Sequence, residues 1–202
     1  MTTAPWWARE SLWKKTAIWV TAIMLIVLVL LTFDTVEQIT AGGARVPAYS
    51  VINQRIYYRL DPASGRRHQV PVIGAAAPLF GAVLTEADAA ALVDRGKLTI
   101  QAKNCMNCHT LLGNGAYFAP DLTKSWLDPA WIDEASRERL MLAFLLDPAA
   151  NARTFGSGRR MPHLGVTEAE ARALVAYLKW MAAIDTNGFP ASFTPIRQEG
   201  DL

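Results

Sequence analysis

Between Thr16 and Phe33 the chain carries no charged residue: "TAIWVTAIMLIVLVLLTF". As a helix these 18 residues rise about 27 Å. With Leu12 and Trp13 ahead of them, they match a hydrocarbon core of roughly 30 Å. Apolar side chains fall on every helical face, whereas a surface helix would keep a polar stripe. Trp6, Trp7, Trp13 and Trp19 gather at the N-terminal end, as in an interfacial aromatic belt. A cleaved signal peptide is the competing reading. Against it, the run exceeds the usual apolar stretch of about 7–15 residues, and the small residues "TAGGA" at 40–44 come late for a cleavage site. An uncleaved anchor is therefore expected, with residues 1–37 as N-terminus and transmembrane helix. A chain of 202 residues then has room for one further domain of ordinary size.

Charge orients the anchor. Arg9, Lys14 and Lys15 precede the apolar run, while Asp34 and Glu37 follow it. The positive-inside bias puts the N-terminus in the cytoplasm and the rest of the chain outside it. The whole chain has a formal net charge of +2, but residues 34–202 carry 17 basic and 17 acidic side chains. Long-range steering by net charge is then weak. No basic stretch is long enough to track nucleic-acid phosphates, so membrane lipid is expected as a partner and nucleic acid is not.

Beyond the anchor, residues 38–84 read as linker and insertion. "YSVINQRIYYRL" is rich in β-formers, "DPASG" signals a turn, and "RRHQVPVIG" returns as a second strand. Pro71 confines that strand to an edge. His68, beside Arg66 and Arg67, reads as a surface histidine rather than a ligand. From Thr85 helical signals take over, and 85–202 reads as one mostly helical domain. Thr85 with Asp88 resembles a capping box, and Ala89, Leu92 and Val93 share a face. Gly96 either breaks that helix or permits close packing. Asp128 and Pro129 predict a helix over 129–146. Thr167 and Glu170 cap the last helix, whose Ala171, Leu174, Val175, Leu178 and Ala182 form one apolar stripe. The tail from Ile184 is expected to be irregular.

The only two cysteines stand three apart with a histidine after them, "CMNCH" at 105–109. Two thiols at this spacing reach the two vinyl groups of one haem, and the adjacent histidine is held below the iron. Zinc would need about four ligands, and only His68 and His163 remain outside the motif. A dithiol redox pair would prefer a strand–helix context. One covalent haem c is therefore expected, on Cys105 and Cys108, with His109 as an axial ligand of the iron. Of the six methionines, Met141 and Met181 sit at core spacing, whereas Met161 lies on a loop before the last helix. Met161 is the expected sixth ligand, with His163 its rival; a thioether there raises the potential. With both axial positions filled, the domain carries electrons and performs no bond chemistry itself.

The order of anchor, C-x-x-C-H, "LLGNGAYFAPDL", "GRRMP", "TEAEARALVAYLKW" and "IDTN" resembles the small cytochrome c subunit of bacterial respiratory nitric oxide reductase, over about residues 93–187. The resemblance implies a class I cytochrome c fold on a single transmembrane helix. It implies docking on a large multi-helix subunit with haem b and a binuclear haem b3–non-haem iron site, where two NO become nitrous oxide and water. The small subunit would take electrons from a soluble cytochrome c or a cupredoxin and pass them to haem b, so the catalytic site is expected in the partner. In this family the loop after the haem motif lies on the catalytic subunit. There, backbone oxygens equivalent to those of Gly115 and Tyr117 approach a shared Ca2+ ion. Calcium takes carbonyl ligands, so the chemistry is permitted; read alone, "GNGAY" is equally a tight turn beside the haem edge.

One departure from the family stands out: some forty residues, 43–83, separate anchor and haem domain. They are expected to add contact with the large subunit's outer surface. A tethered electron shuttle and the cytochrome c subunit of another haem–copper-type oxidase are the alternatives, and a haem sensor would need an open iron position. A shuttle would ring its haem edge with charge. "LLGNGAYFAPDL" has only Asp121, which favours a permanent subunit.

Overall fold

A computed structural model of the chain describes residues 5–40, 43, 45–61, 68–131, 133–151 and 158–191, with the backbone alone at Glu134. The chain forms two compact units, Met1–Arg45 and Val46–Leu202. In the first, helix α1 spans Glu10–Thr40 and buries none of its side chains. It is long and apolar enough to cross a membrane. Its 31 residues rise about 46 Å, more than the apolar run needs. It continues through Asp34 and Glu37 because polar side chains find partners within the helix. Gln38 donates to Asp34 at 2.7 Å, and Thr32 and Thr40 donate to the carbonyls four residues back.

The second unit is built on helices α2 (Glu86–Ala102), α3 (Glu134–Leu146) and α4 (Glu168–Ala182). The sequence left Gly96 open between a break and a close contact, and the structure decides for contact. Helix α2 runs unbroken through it, and a Cβ there would lie 2.1 Å from the Ala173 carbonyl oxygen. Both caps form as expected. Thr85 accepts from the Asp88 amide, and Thr167 and Glu170 make a full capping box. Glu170 is held below the usual carboxylate range, first by the Thr167 amide. Helix α3 begins later than the sequence predicts. Pro129–Trp131 form a separate 3-10 turn capped by Asp128, and Asp133 caps α3 itself by accepting from Ser136. Two aspartates five apart each capture a chain start, and the nearer one takes the helix.

The expected hairpin is present. Strand β1 (Gln54–Leu60) pairs antiparallel with β2 (Gln69–Ala76), and Pro71 faces Tyr58 in a two-stranded sheet where it disrupts no further neighbour. Residues 62–67, which hold most of the predicted "DPASG" turn and the first two residues of the predicted second strand, Arg66 and Arg67, lie outside the described residues. The segment packs on the helices. Val51, Ile52, Ile56, Tyr58 and Leu79 share one buried core with Val93 and Ile100 of α2 and Leu174, Val175, Leu178 and Met181 of α4. Each such side chain contributes about 1.5–3 kcal/mol through burial. Glu86 fastens the segment's start by accepting the Tyr49 and Ser50 amides, and Trp180 stacks on Tyr49 at 5.3 Å. His68 is only partly exposed and packs against Gly188, where a Cβ would lie 2.5 Å from the His68 Cβ.

Candidate haem site

Helix α2 ends at Ala102, and Asn104 turns the chain through a left-handed conformation (φ 53°) into the 3-10 turn Cys105–Asn107. The Cys108 and His109 amides both donate to the Cys105 carbonyl, at 3.2 and 3.0 Å. This winds the motif into one tight turn with both thiols half-buried and free. Burial pushes the Cys105 thiol up from its ordinary value. A redox dithiol needs the opposite shift. Among the described residues no cluster of three His, Cys, Asp or Glu side chains gathers as a metal cage.

His109 is oriented by the chain's own backbone. Its Nδ1 lies 2.7 Å from the Pro120 carbonyl oxygen. A carbonyl only accepts, so Nδ1 carries the hydrogen and Nε2 keeps its lone pair. A ring held in this tautomer fits an axial haem ligand, and a carbonyl behind the ring raises its basicity. The residues present thus fit a haem c.

After the motif, β3 (Thr110–Leu111) and β4 (Asn114–Gly115) form a minimal hairpin. Its two turn residues, Leu112 and Gly113, both have positive φ, at 51° and 76°. Gly115 is required on two counts: φ is +126°, and a Cβ would lie 2.3 Å from the His109 carbonyl oxygen. The loop is tied down from within. Ala116 donates to Met106, Ala119 to Cys108 and Leu122 to Thr110. Asp121 is the loop's one charge, and both its oxygens face inward. Oδ2 accepts from the Thr110 hydroxyl at 2.7 Å and the Gly113 amide at 3.4 Å; Oδ1 accepts from the Thr123 amide at 2.8 Å. The large apolar and aromatic side chains on the loop's surface are Leu112, Tyr117 and Phe118, exposed by 53%, 80% and 52%.

Met161 is half-buried, between two anchored points. Arg159 donates to the Phe118 carbonyl at 2.5 Å and lies over its ring at 4.7 Å. Lys103 donates to the Gly165 carbonyl at 3.0 Å and pairs with Glu170 at 3.4 Å. The rest of that loop, 152–157, lies outside the described residues. His163 is exposed, and its Nδ1 accepts from the Gly165 amide, a local turn. Met141 and Met181 are buried in the core, as their spacing implies. Sequence reasoning missed Pro120, Arg159 and Lys103 as struts. Only a basic residue two positions before Met161 hinted at one of them.

Two comparisons bear on this site. The family profile described as Cytochrome c matches residues 93–182. The chain is 35% identical to the nitric oxide reductase C-subunit of Stutzerimonas stutzeri over 107 residues, 52% of this chain and 68% of that one. The chain belongs to the family of nitric oxide reductase C-subunits. Other members give the same picture. The Cereibacter sphaeroides protein is 34% identical over 47% of this chain and 63% of its own length, and that of Paracoccus denitrificans 36% over 48% and 64%. In these two the match spans less than two thirds of the relative. The matched segment is a haem c domain, and the chain is mostly helical, with one long apolar N-terminal helix and a small hairpin among its described residues.

Proposed function

We propose that the chain is a membrane-anchored c-type cytochrome and the electron-entry subunit of a nitric oxide reductase. It accepts electrons from a soluble periplasmic cytochrome c or cupredoxin. It passes them to haem b of a catalytic subunit that reduces two NO to nitrous oxide and water. Residues 1–37 supply the anchor, with the N-terminus cytoplasmic, 38–84 the linker and insertion, and 85–202 the cytochrome domain. Similarity to nitric oxide reductase C-subunits from three organisms supports the assignment.

The observation that carries it is the inward-turned Asp121. With both oxygens engaged, the loop beside the haem motif presents Leu112, Tyr117 and Phe118 with no charge of its own, and the nearby Arg159 guanidinium lies over the Phe118 ring. A pre-ordered surface of aromatic side chains with an arginine over one of them fits a lasting interface better than brief encounters.

Haem c, when bound, supplies one-electron chemistry at its iron. Cys105 and Cys108 would hold it covalently, and His109 Nε2 and Met161 would ligate its iron. Pro120 keeps the His109 tautomer, while Arg159 and Lys103 hold the Met161 segment at either end. The backbone oxygens of Gly115 and Tyr117 are offered to a Ca2+ ion shared with the catalytic subunit.

Purification in mild detergent tests the assignment. A complex containing a multi-helix subunit with b-type haems is expected. A monomer with haem c alone would sink it.

A further inference from the structure

Lys124 is 3% exposed, yet it is a lysine of the strap that follows the haem loop. Its Nζ donates to the Ile184 carbonyl at 2.7 Å, just beyond α4, and to the Ala182 carbonyl at 3.4 Å, on the last residue of α4. The Tyr58 ring of β1 covers it, 4.6 Å from Nζ to the centroid. The Tyr58 hydroxyl donates to the same two carbonyls, at 2.8 and 3.3 Å. The charged groups facing the amine are Asp185, after α4, and Asp121, on its own strap. Burial pushes the Tyr58 phenol far above its ordinary value, so it stays a donor and does not compete for the proton. Burial likewise pulls the Lys124 ammonium down to about 7, against the opposing pull of the two aspartates.

The same strap holds Pro120, whose carbonyl fixes the His109 ring. Four residues of chain span at most about 14 Å. Asp121, between Pro120 and Lys124, bears electrostatically on the amine and accepts from Thr110, the neighbour of His109, so a change of charge at an iron held by His109 would act on Lys124 across this short, largely buried path.

We propose that Lys124 is a redox-linked proton-binding site, created where the inserted hairpin's Tyr58 closes over the strap that orients His109. When the iron gains one electron from the donor, Lys124 takes one proton from bulk water; on oxidation both leave. The added negative charge favours the ammonium, and the ammonium favours the reduced iron. The insertion thus acts on the cytochrome's own thermodynamics, whatever it does at a partner surface. This rests on the reading that His109 carries a haem c.

Potentiometric titration of the detergent-solubilised full chain, from pH 5.5 to 9, tests it. The wild-type midpoint potential should fall as pH rises through neutrality. In Lys124→Met this fall should vanish. In Asp185→Asn, which removes a carboxylate favouring the ammonium but keeps an acceptor for the Asn187 amide, the inflection should move to lower pH. If Lys124→Met does not fold, Asp185→Asn decides. A wild-type potential flat with pH, or an inflection unmoved by Asp185→Asn, overturns the proposal. A pyridine haemochrome spectrum taken first separates the two failures, because loss of the c-type spectrum would refute the haem reading itself.

Discussion

Gly96 of α2 lies against Ala173 of α4 so closely that no side chain fits between them: a Cβ would stand 2.1 Å from the Ala173 oxygen and 2.7 Å from the Tyr177 Cβ. Two effects compete in Gly96→Ala. Helix propensity favours alanine by about 1 kcal/mol. Overpacking costs about 1–3 kcal/mol or more, and the obstacle here is backbone that has no rotamer to change. The clash should win. A lowered midpoint of thermal unfolding is expected, and an unchanged or higher one would show that the helices separate freely.

Tyr58→Phe leaves the ring over Lys124 but removes the donor to Ala182 and Ile184. Lys124 still donates to both carbonyls, so the loss is that of a hydrogen bond whose acceptors keep a partner, about 0.5–1.5 kcal/mol. Chemical denaturation should show that loss. No change would mean that the hydroxyl does not tie the insertion to the end of α4.

Thr167→Ala removes the hydroxyl that accepts the Glu170 amide at 3.3 Å. Loss of an N-cap costs about 0.5–2 kcal/mol. Glu170 remains to pair with Lys103, so the Met161 segment keeps its second anchor. Stability should fall while the visible spectrum of the haem protein stays unchanged. A spectral change would link the cap directly to the iron site.

Met161→Leu replaces the proposed thioether ligand with a side chain of similar volume. The far-red methionine–iron charge-transfer band of the oxidised protein should disappear while the α-helical circular dichroism persists. Survival of the band would remove Met161 from the iron.

Lys124 also makes stability depend on pH. Its folded value of about 7 lies below the unfolded lysine value of about 10.4. Below pH 7 both states hold the proton, and the cost of the buried charge is felt in full. Between about pH 7 and 10 the unfolded state binds more protons, so stability rises with pH. Thermal unfolding at pH 6, 7.5 and 9 should show this rise in the wild type relative to Lys124→Met. Parallel curves for the two proteins would contradict it.

Local chemistry was legible in the residues themselves. The apolar run, the caps at Thr85 and Thr167 and the stripe on α4 depend on neighbours a few positions apart, and each forms the helix or cap expected of it. Helix α3 shows the limit of such reading. Asp128 and Asp133 are both good caps, and only the packing of the 3-10 turn between them selected the second.

The sequence by itself determined that this chain has one membrane-length helix and a helical domain with a haem-attachment motif. Periodicity, capping and motif spacing are short-range properties. Only the tertiary structure decided that Gly96 joins two helices, that Pro120 orients His109, that Asp121 turns inward, and that Tyr58 buries Lys124. These pairs lie 11 to more than 60 residues apart, or join a side chain to a backbone carbonyl. No residue type announces such partners in advance; they exist only once α2, α4 and the hairpin have closed on one core.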